Sequence, residues 1–282
     1  MMKEKKLLFI FLISSLITVT VFSGTIKYEF FRSNLLGRDV GYSVYLPDNY
    51  DSSNLYYPII YILHGSGGNQ YQWINEGKID QIADELIENG ELPPSIIVMP
   101  ATGNNWYVDR REKIESMFFQ EFIPYIEDTY RVIKSRDARV IGGQSMGGYG
   151  ALRYSMIHPE LFSVAILLSP AVYDPVPPKN SAAITSGVFG DPFDPNIWKS
   201  LNYPSLFMSY LMKGQPVAMF IASGDDDELF IELHATQLYE SMRNAGLPAE
   251  LRIVDGGHDW GVWIPTMREG LKYAGNFLTQ PK

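Results

Sequence analysis

A serine hydroxyl becomes a nucleophile only where the backbone presents it and a base takes its proton. One serine in this chain stands in such a setting. Gly143-Gln144-Ser145-Met146-Gly147 fits G-x-S-x-G between an apolar run, ARVIGG, and a helix-forming stretch, MGGYGALRYSMIH. A sharp turn from strand to helix sets the hydroxyl at the top of a sheet and aims the helix N-terminus at the charge that develops on an attacked carbonyl. The chemistry implied is acyl transfer through a covalent intermediate. Ser145 is the expected nucleophile, and the Met146 N–H is one expected donor to the oxyanion.

The base must be one of four histidines, His64, His158, His234 and His258. No two of them lie within four residues, so a local HExxH zinc site is excluded. His258 lies in Gly256-Gly257-His258-Asp259-Trp260, a loop directly after the last expected strand, and the order serine, acid, histidine suits that position. His158 precedes Pro159 at a helix end, where a capping role is expected, and His234 falls on an apolar stripe. The acid is expected after the run VAMFIA, in Ser223-Gly224-Asp225-Asp226-Asp227-Glu228. Asp227 is the first choice and Asp226 the second, because loop position alone does not orient a side chain. The other carboxylates there suit the start of a helix.

A second oxyanion donor has to come from the end of an early strand. Tyr61-Ile62-Leu63-His64-Gly65-Ser66-Gly67-Gly68 supplies an HGxGG turn, with the Ser66 N–H as the expected donor. No Lys-Ser or Lys-Thr follows, so the turn is not a phosphate-binding P-loop.

The elements that must position these groups read as an α/β fold. Residues 25–31 and 40–46 flank Leu35-Leu36-Gly37-Arg38 and predict an antiparallel hairpin at a sheet edge. Strands are expected at 58–63, 95–99, 138–141, 163–168, 217–222 and 249–254, and helices at 79–88, 115–129, 146–158, 228–245 and 263–278. This alternation predicts a mostly parallel sheet with helices on both faces. In 228–245 the residues Phe230, Leu233, His234, Leu238 and Met242 recur at spacings of three and four, which predicts one buried stripe. Residues 171–213, with six prolines and no clean period, read as an irregular, lid-like insertion in a single domain spanning 25–282.

Composition bounds the partners. Of 282 residues 46% are hydrophobic, and the net charge of −9 makes a field that repels a phosphate backbone, so no nucleic-acid partner is expected. Cysteine is absent, which removes disulfides, thiolate nucleophiles and Cys-based zinc sites. No metal or organic cofactor is expected, since nucleophile, base and oxyanion donors complete the chemistry. Residues 1–24 carry Lys3, Lys5 and Lys6 ahead of an apolar run from Leu7 to Phe22, the layout of an export signal cleaved after Ser23. Left uncleaved, the same segment would be an N-terminal membrane anchor, and either outcome places the body outside the cytoplasm. Removing its three Lys and one Glu takes the charge from −9 to −11.

These motifs together resemble the esterase D and feruloyl esterase family of α/β-hydrolases, which includes S-formylglutathione hydrolases, enterochelin esterases, acetyl xylan esterases and the antigen 85 mycolyltransferases. The resemblance runs over about residues 28–278, through YSVYLPDNY, YILHGSGGN, EFIPYIEDTYRV, GGQSMGGYGAL, HPELF and GGHDWGVW. It implies an α/β-hydrolase fold, a Ser145, Asp227 and His258 triad, and oxyanion donors at Ser66 and Met146. Together with the export signal, which sets the chain apart from the cytosolic S-formylglutathione hydrolases, it implies an exported serine esterase acting on small-molecule or carbohydrate-linked acetyl, feruloyl or short-chain esters. Acyl transfer to a sugar or alcohol, as in mycolyltransferases, is the alternative outcome of the same intermediate. Trp106, Trp198 and Trp260 lie in loops expected at the catalytic edge, with Tyr107 and Trp263 nearby, and their rings would suit a sugar face or a phenolic acyl group. For Trp260 and Trp263 the competing expectation is packing of the histidine loop onto the sheet.

Overall fold

The computed structural model describes residues 23–282. The expected export signal therefore lies, apart from Ser23 and Gly24, outside the described residues. Among the described residues no helix is long and apolar enough to cross a membrane.

Eight strands form one sheet in the order β1-β2-β4-β3-β5-β6-β7-β8. They are β1 Thr25–Ser33, β2 Arg38–Leu46, β3 Ile59–Leu63, β4 Ile96–Pro100, β5 Arg139–Gln144, β6 Val164–Leu168, β7 Ala218–Gly224 and β8 Ala249–Val254. β1 and β2 make the antiparallel edge hairpin, with Phe30 opposite Gly41, and β2 pairs antiparallel with β4. All pairings from β4 to β8 are parallel. The central strands read as unbroken apolar runs because helices cover both of their faces: every residue of IIYIL, IIVMP and VAILL is buried. β5 runs on into Gly142 and Gly143, beyond the four residues expected from sequence, because β3 and β6 pair with it on either side.

Alternate residues feed two cores. Tyr61, Leu63, Ile141 and Leu167 join one, with residues of α5 Met146–Ile157 and α9 Ile231–Asn244. Ile60, Ile62, Val140 and Ile166 join the other, with α2 Ile79–Glu88 and α10 Trp260–Gly275. Each such Ile or Leu contributes about 1.5–3 kcal/mol by leaving water. From β3 the chain crosses to β4 on one side, then returns to β5 and proceeds away on the other. This reversal opens a crevice at the carboxyl ends of β3 and β5, where ligands bind in open α/β sheets.

Three sequence expectations change. The helix expected at 115–129 is α3 Ile114–Met117, a π turn at Phe118–Phe122 and α4 Ile123–Thr129. Pro124 has no N–H to donate to the preceding turn, and the helix widens just before it. The insertion at 171–213 is not irregular throughout: it holds α6 Ala182–Thr185, α7 Pro195–Leu201 and α8 Tyr203–Met212, seated by buried Trp198, Tyr203 and Tyr210. The stripe in α9 holds at Leu238 and Met242 and differs in the first turns. Its buried residues are Ile231, Ala235, Leu238 and Met242, while Phe230 and Leu233 are exposed. The helix starts three residues later than expected because 227–230 forms a turn, in which the Phe230 N–H donates to the Asp227 carbonyl.

Candidate active site

Ser145 stands between β5 and α5 with φ 54° and ψ −118°, a backbone conformation that non-glycine residues rarely adopt. Neighbouring strands hold it there. The Ser145 N–H donates to the Leu168 carbonyl at 2.9 Å, and the Ser145 carbonyl accepts from Ala171 at 3.1 Å and Tyr149 at 3.0 Å. The next turn must pass close under β3. A Cβ on Gly147 would lie 2.2 Å from the Leu63 carbonyl oxygen, which is backbone and cannot move aside. Gly147→Ala is therefore expected to cost about 3 kcal/mol or more and to lower Tm by about 6 °C or more. A thermal melt within 2 °C or so of the parent would contradict this packing.

His258 reaches Ser145 and Asp227 at once. Its Nε2 lies 2.9 Å from Ser145 Oγ and its Nδ1 lies 2.7 Å from Asp227 Oδ2. The Asp227 side chain is fully buried, and its other oxygen, Oδ1, accepts the Leu229 N–H at 2.9 Å. Asp226 is exposed and does not approach the imidazole. Asp225, Asp226 and Asp255 gather their carboxylates on the solvent side, where Asp225 Oδ1 accepts the Gly256 N–H and shapes the loop ahead of His258. Burial, with the Asp227 and Asp225 charges adding, holds Glu232 above the ordinary carboxylate range.

The two expected oxyanion donors belong to different segments, Ser66 to the turn after β3 and Met146 to the start of α5. Neither the Ser66 N–H nor the Met146 N–H donates to a protein acceptor among the described residues. Ser66 and Ser145 line one cavity of about 270 Å³ with Gln72, Gln144, Asn180, Glu228, Leu229, His258 and Trp263. His64 holds the Ser66 loop. Its Nδ1–H donates to the Gly65 carbonyl at 2.8 Å, its Nε2 accepts the Thr102 N–H at 3.1 Å, and its own carbonyl accepts from Tyr107 Oη.

Burial pushes the His64 imidazole down to about 4 from 6.5, so it stays neutral in this role. Between these values the unfolded chain binds a proton that the folded chain refuses. Stability is complete above pH 6.5 and falls on acidification, by about 3 kcal/mol from this group once pH drops below 4. Urea unfolding of the parent and His64→Asn across that window should show a shallower dependence on pH in the variant. Parallel curves would rule the imidazole out as the source.

The tryptophans divide. Trp106 and Trp198 are 1% and 0% exposed and do not line the cavity, which corrects the expectation that they contact substrate. They pack edge to face with Phe189, under the helices of the insertion, and Trp198 Nε1 donates to the Tyr173 carbonyl. Tyr107 is likewise fully buried. Trp260 is half-buried between Trp73 and Trp263 and also lies outside the cavity lining, so it packs the histidine loop. Trp263 forms a cavity wall: it stands edge-on to the His258 ring at 5.0 Å and donates from Nε1 to Ser169 Oγ at 3.1 Å. Among the remaining histidines, His158 ends α5 with Nδ1 beside Glu160, and His234 Nδ1 accepts the Asp174 N–H. Gln72 and Asn180 line the cavity without any spacing rule to mark them, while Gln144 and Glu228 lay within the quoted motifs but were given no role at the site.

Comparison with known proteins places this chain in a family. The Esterase family model matches residues 33–274. An acetyl esterase of Caldicellulosiruptor saccharolyticus is 29% identical over 238 residues, covering 76% of this chain and 80% of that protein. Esterase Rv1288 of Mycobacterium tuberculosis is 29% identical over 260 residues, 82% of this chain, which spans about half of that relative's length (55%). A solved ferulic acid esterase superposes with a TM-score of 0.77 and 31% identity, over 91% of this chain and 100% of its own. With the family model covering most of its length, the chain belongs to the Esterase family, carboxylic ester hydrolases built on the α/β-hydrolase fold.

Proposed function

We propose that the chain is an exported serine esterase that works through an acyl-enzyme on Ser145, His258 and Asp227. The observation that carries this reading is the single hydrogen-bonded line from Ser145 Oγ through the imidazole to a buried carboxylate. Ser145 Oγ attacks the ester carbonyl carbon while His258 Nε2 takes its proton, and Asp227 Oδ2 steadies the imidazolium through Nδ1–H. The carbonyl oxygen becomes an oxyanion, met by the Ser66 and Met146 N–H groups. Collapse expels the alcohol, which receives the proton from Nε2. Water, deprotonated by the same nitrogen, then releases the acid and restores Ser145.

Substrates of this reading are short-chain acyl esters and carbohydrate-linked acetyl or feruloyl esters. The names of the relatives support that range, one being an acetyl esterase and another a ferulic acid esterase. A cavity of about 270 Å³ that combines the apolar Trp263, Leu229 and Ala182 with polar side chains such as Gln72, Gln144 and Asn180 suits a small acyl group or one phenolic ring. The deciding measurement is kcat/KM of the chain from Thr25 on methyl ferulate, 4-nitrophenyl acetate and 4-nitrophenyl butyrate, together with fluorophosphonate labelling. Labelling of the Ser145 peptide and cleavage of at least one ester are expected. A folded protein that neither labels nor cleaves any of them would refute the reading, and a strong preference for ferulate would assign the Trp263 wall to an aromatic acyl group.

A further inference from the structure

The turn that offers the Ser66 N–H is seated on a pair of side-chain amides. Gln144, the last residue of β5 and 1% exposed, donates from Nε2 to Gln72 Oε1 at 3.0 Å. Gln72 opens α1 Gln72–Asn75, just after the turn. A Cβ on Gly65 would come 3.2 Å from Gln144 Nε2, and one on Gly68 would come 2.2 Å from Gln72 Oε1. Two of the three glycines of the HGSGG turn, Gly65 and Gly68, thus face the amide pair, with Ser66 and Gly67 between them. Gln144 Oε1 is buried with no protein partner, an arrangement that costs stability and that core positions avoid.

An oxyanion hole works only when its donors converge on one point. Here they come from separate segments. The β3–β5 ladder holds those segments together as far as Leu63 opposite Gly143, after which the two chains part. The Gln72–Gln144 bond ties them again beyond that point, one residue before the nucleophile.

We propose that Gln72 and Gln144 are positioning residues that set the Ser66 N–H against the Met146 N–H so that both meet the oxyanion. This rests on the reading of Ser145 as nucleophile and of those two amides as donors. Gln72→Met and Gln144→Met keep side-chain length and remove the bond. Each is expected to lower kcat on 4-nitrophenyl acetate about 10- to 100-fold with KM within about twofold. The double variant is expected to be no worse than the worse single, because the two amides act as one unit. A trifluoromethyl ketone, whose adduct with Ser145 carries the oxyanion, should lose affinity by the factor that kcat/KM loses. Gln72 is only half-buried, so Gln72→Met keeps the test open if Gln144→Met fails to fold.

A lower Tm with unchanged kcat and inhibitor affinity would overturn the proposal, leaving the pair a packing role. A raised KM at constant kcat would also overturn it, since the amides would then bind substrate directly. Ser145→Ala in the same assays separates the two readings. If that variant stays active, the nucleophile assignment fails and the proposal with it. If it is inactive while both Met variants keep full kcat and inhibitor affinity, only the amide proposal fails.

Discussion

Ser145→Ala is expected to lower kcat on 4-nitrophenyl acetate by roughly 10⁵-fold or more, with the fold intact. The variant removes one oxygen, the atom 2.9 Å from His258 Nε2, and leaves the strained turn to be held by its contacts to Leu168, Ala171 and Tyr149. Alanine pays the same backbone cost as serine at φ 54°, so Tm should shift by only a few degrees. Residual hydrolysis would come from the oxyanion donors acting on water, roughly 10³-fold above the uncatalysed rate. Activity within tenfold of the parent would mean that another group attacks the ester.

Asp227→Asn should cost roughly 10⁴-fold in kcat, whereas Asp226→Asn should stay within about threefold of the parent. The difference follows from the two oxygens of Asp227. Oδ1 accepts the Leu229 N–H, which holds the amide oxygen of an asparagine at that position. The amide nitrogen then faces His258 Nδ1 and donates to it. That forces the imidazole proton onto Nε2, the nitrogen that must receive the Ser145 proton. Steady-state kinetics on both variants decides between the neighbouring carboxylates. Loss of activity in Asp226→Asn with retention in Asp227→Asn would transfer the role.

The strands were readable because a parallel strand covered on both faces is an apolar run with no gap, as in IIYIL and VAILL. The meeting of Ser145 with His258 was readable because glycine-flanked turns after strands have a restricted use. Asp227 was preferred to Asp226 on loop position alone, since the turn that buries one carboxylate and exposes its neighbour has no sequence signature. Trp106 and Trp198 misled for a related reason: a tryptophan in a loop looks available until the helices of the insertion cover it. The α9 stripe was readable at Leu238 and Met242 but not at its start, because that same turn consumes residues 227–230 before the helix begins. Gln144 occupies a variable position of G-x-S-x-G, and nothing in its spacing announces a bond to a residue 72 positions earlier.

The strand order also governs when the chain can first act. The proposed nucleophile and base are 113 residues apart, and the proposed base, His258, follows β8, which is both the last strand synthesised and an edge of the sheet. A nascent chain that has made and paired β3, β5 and β6 already holds the serine turn, yet has no general base. Contacts this distant in sequence form slowly and late. On refolding, hydrolysis should therefore return with the slowest phase, behind the recovery of tryptophan emission from the interior, and an incomplete copy lacking β8 and α10 would be silent toward esters however well the rest had folded.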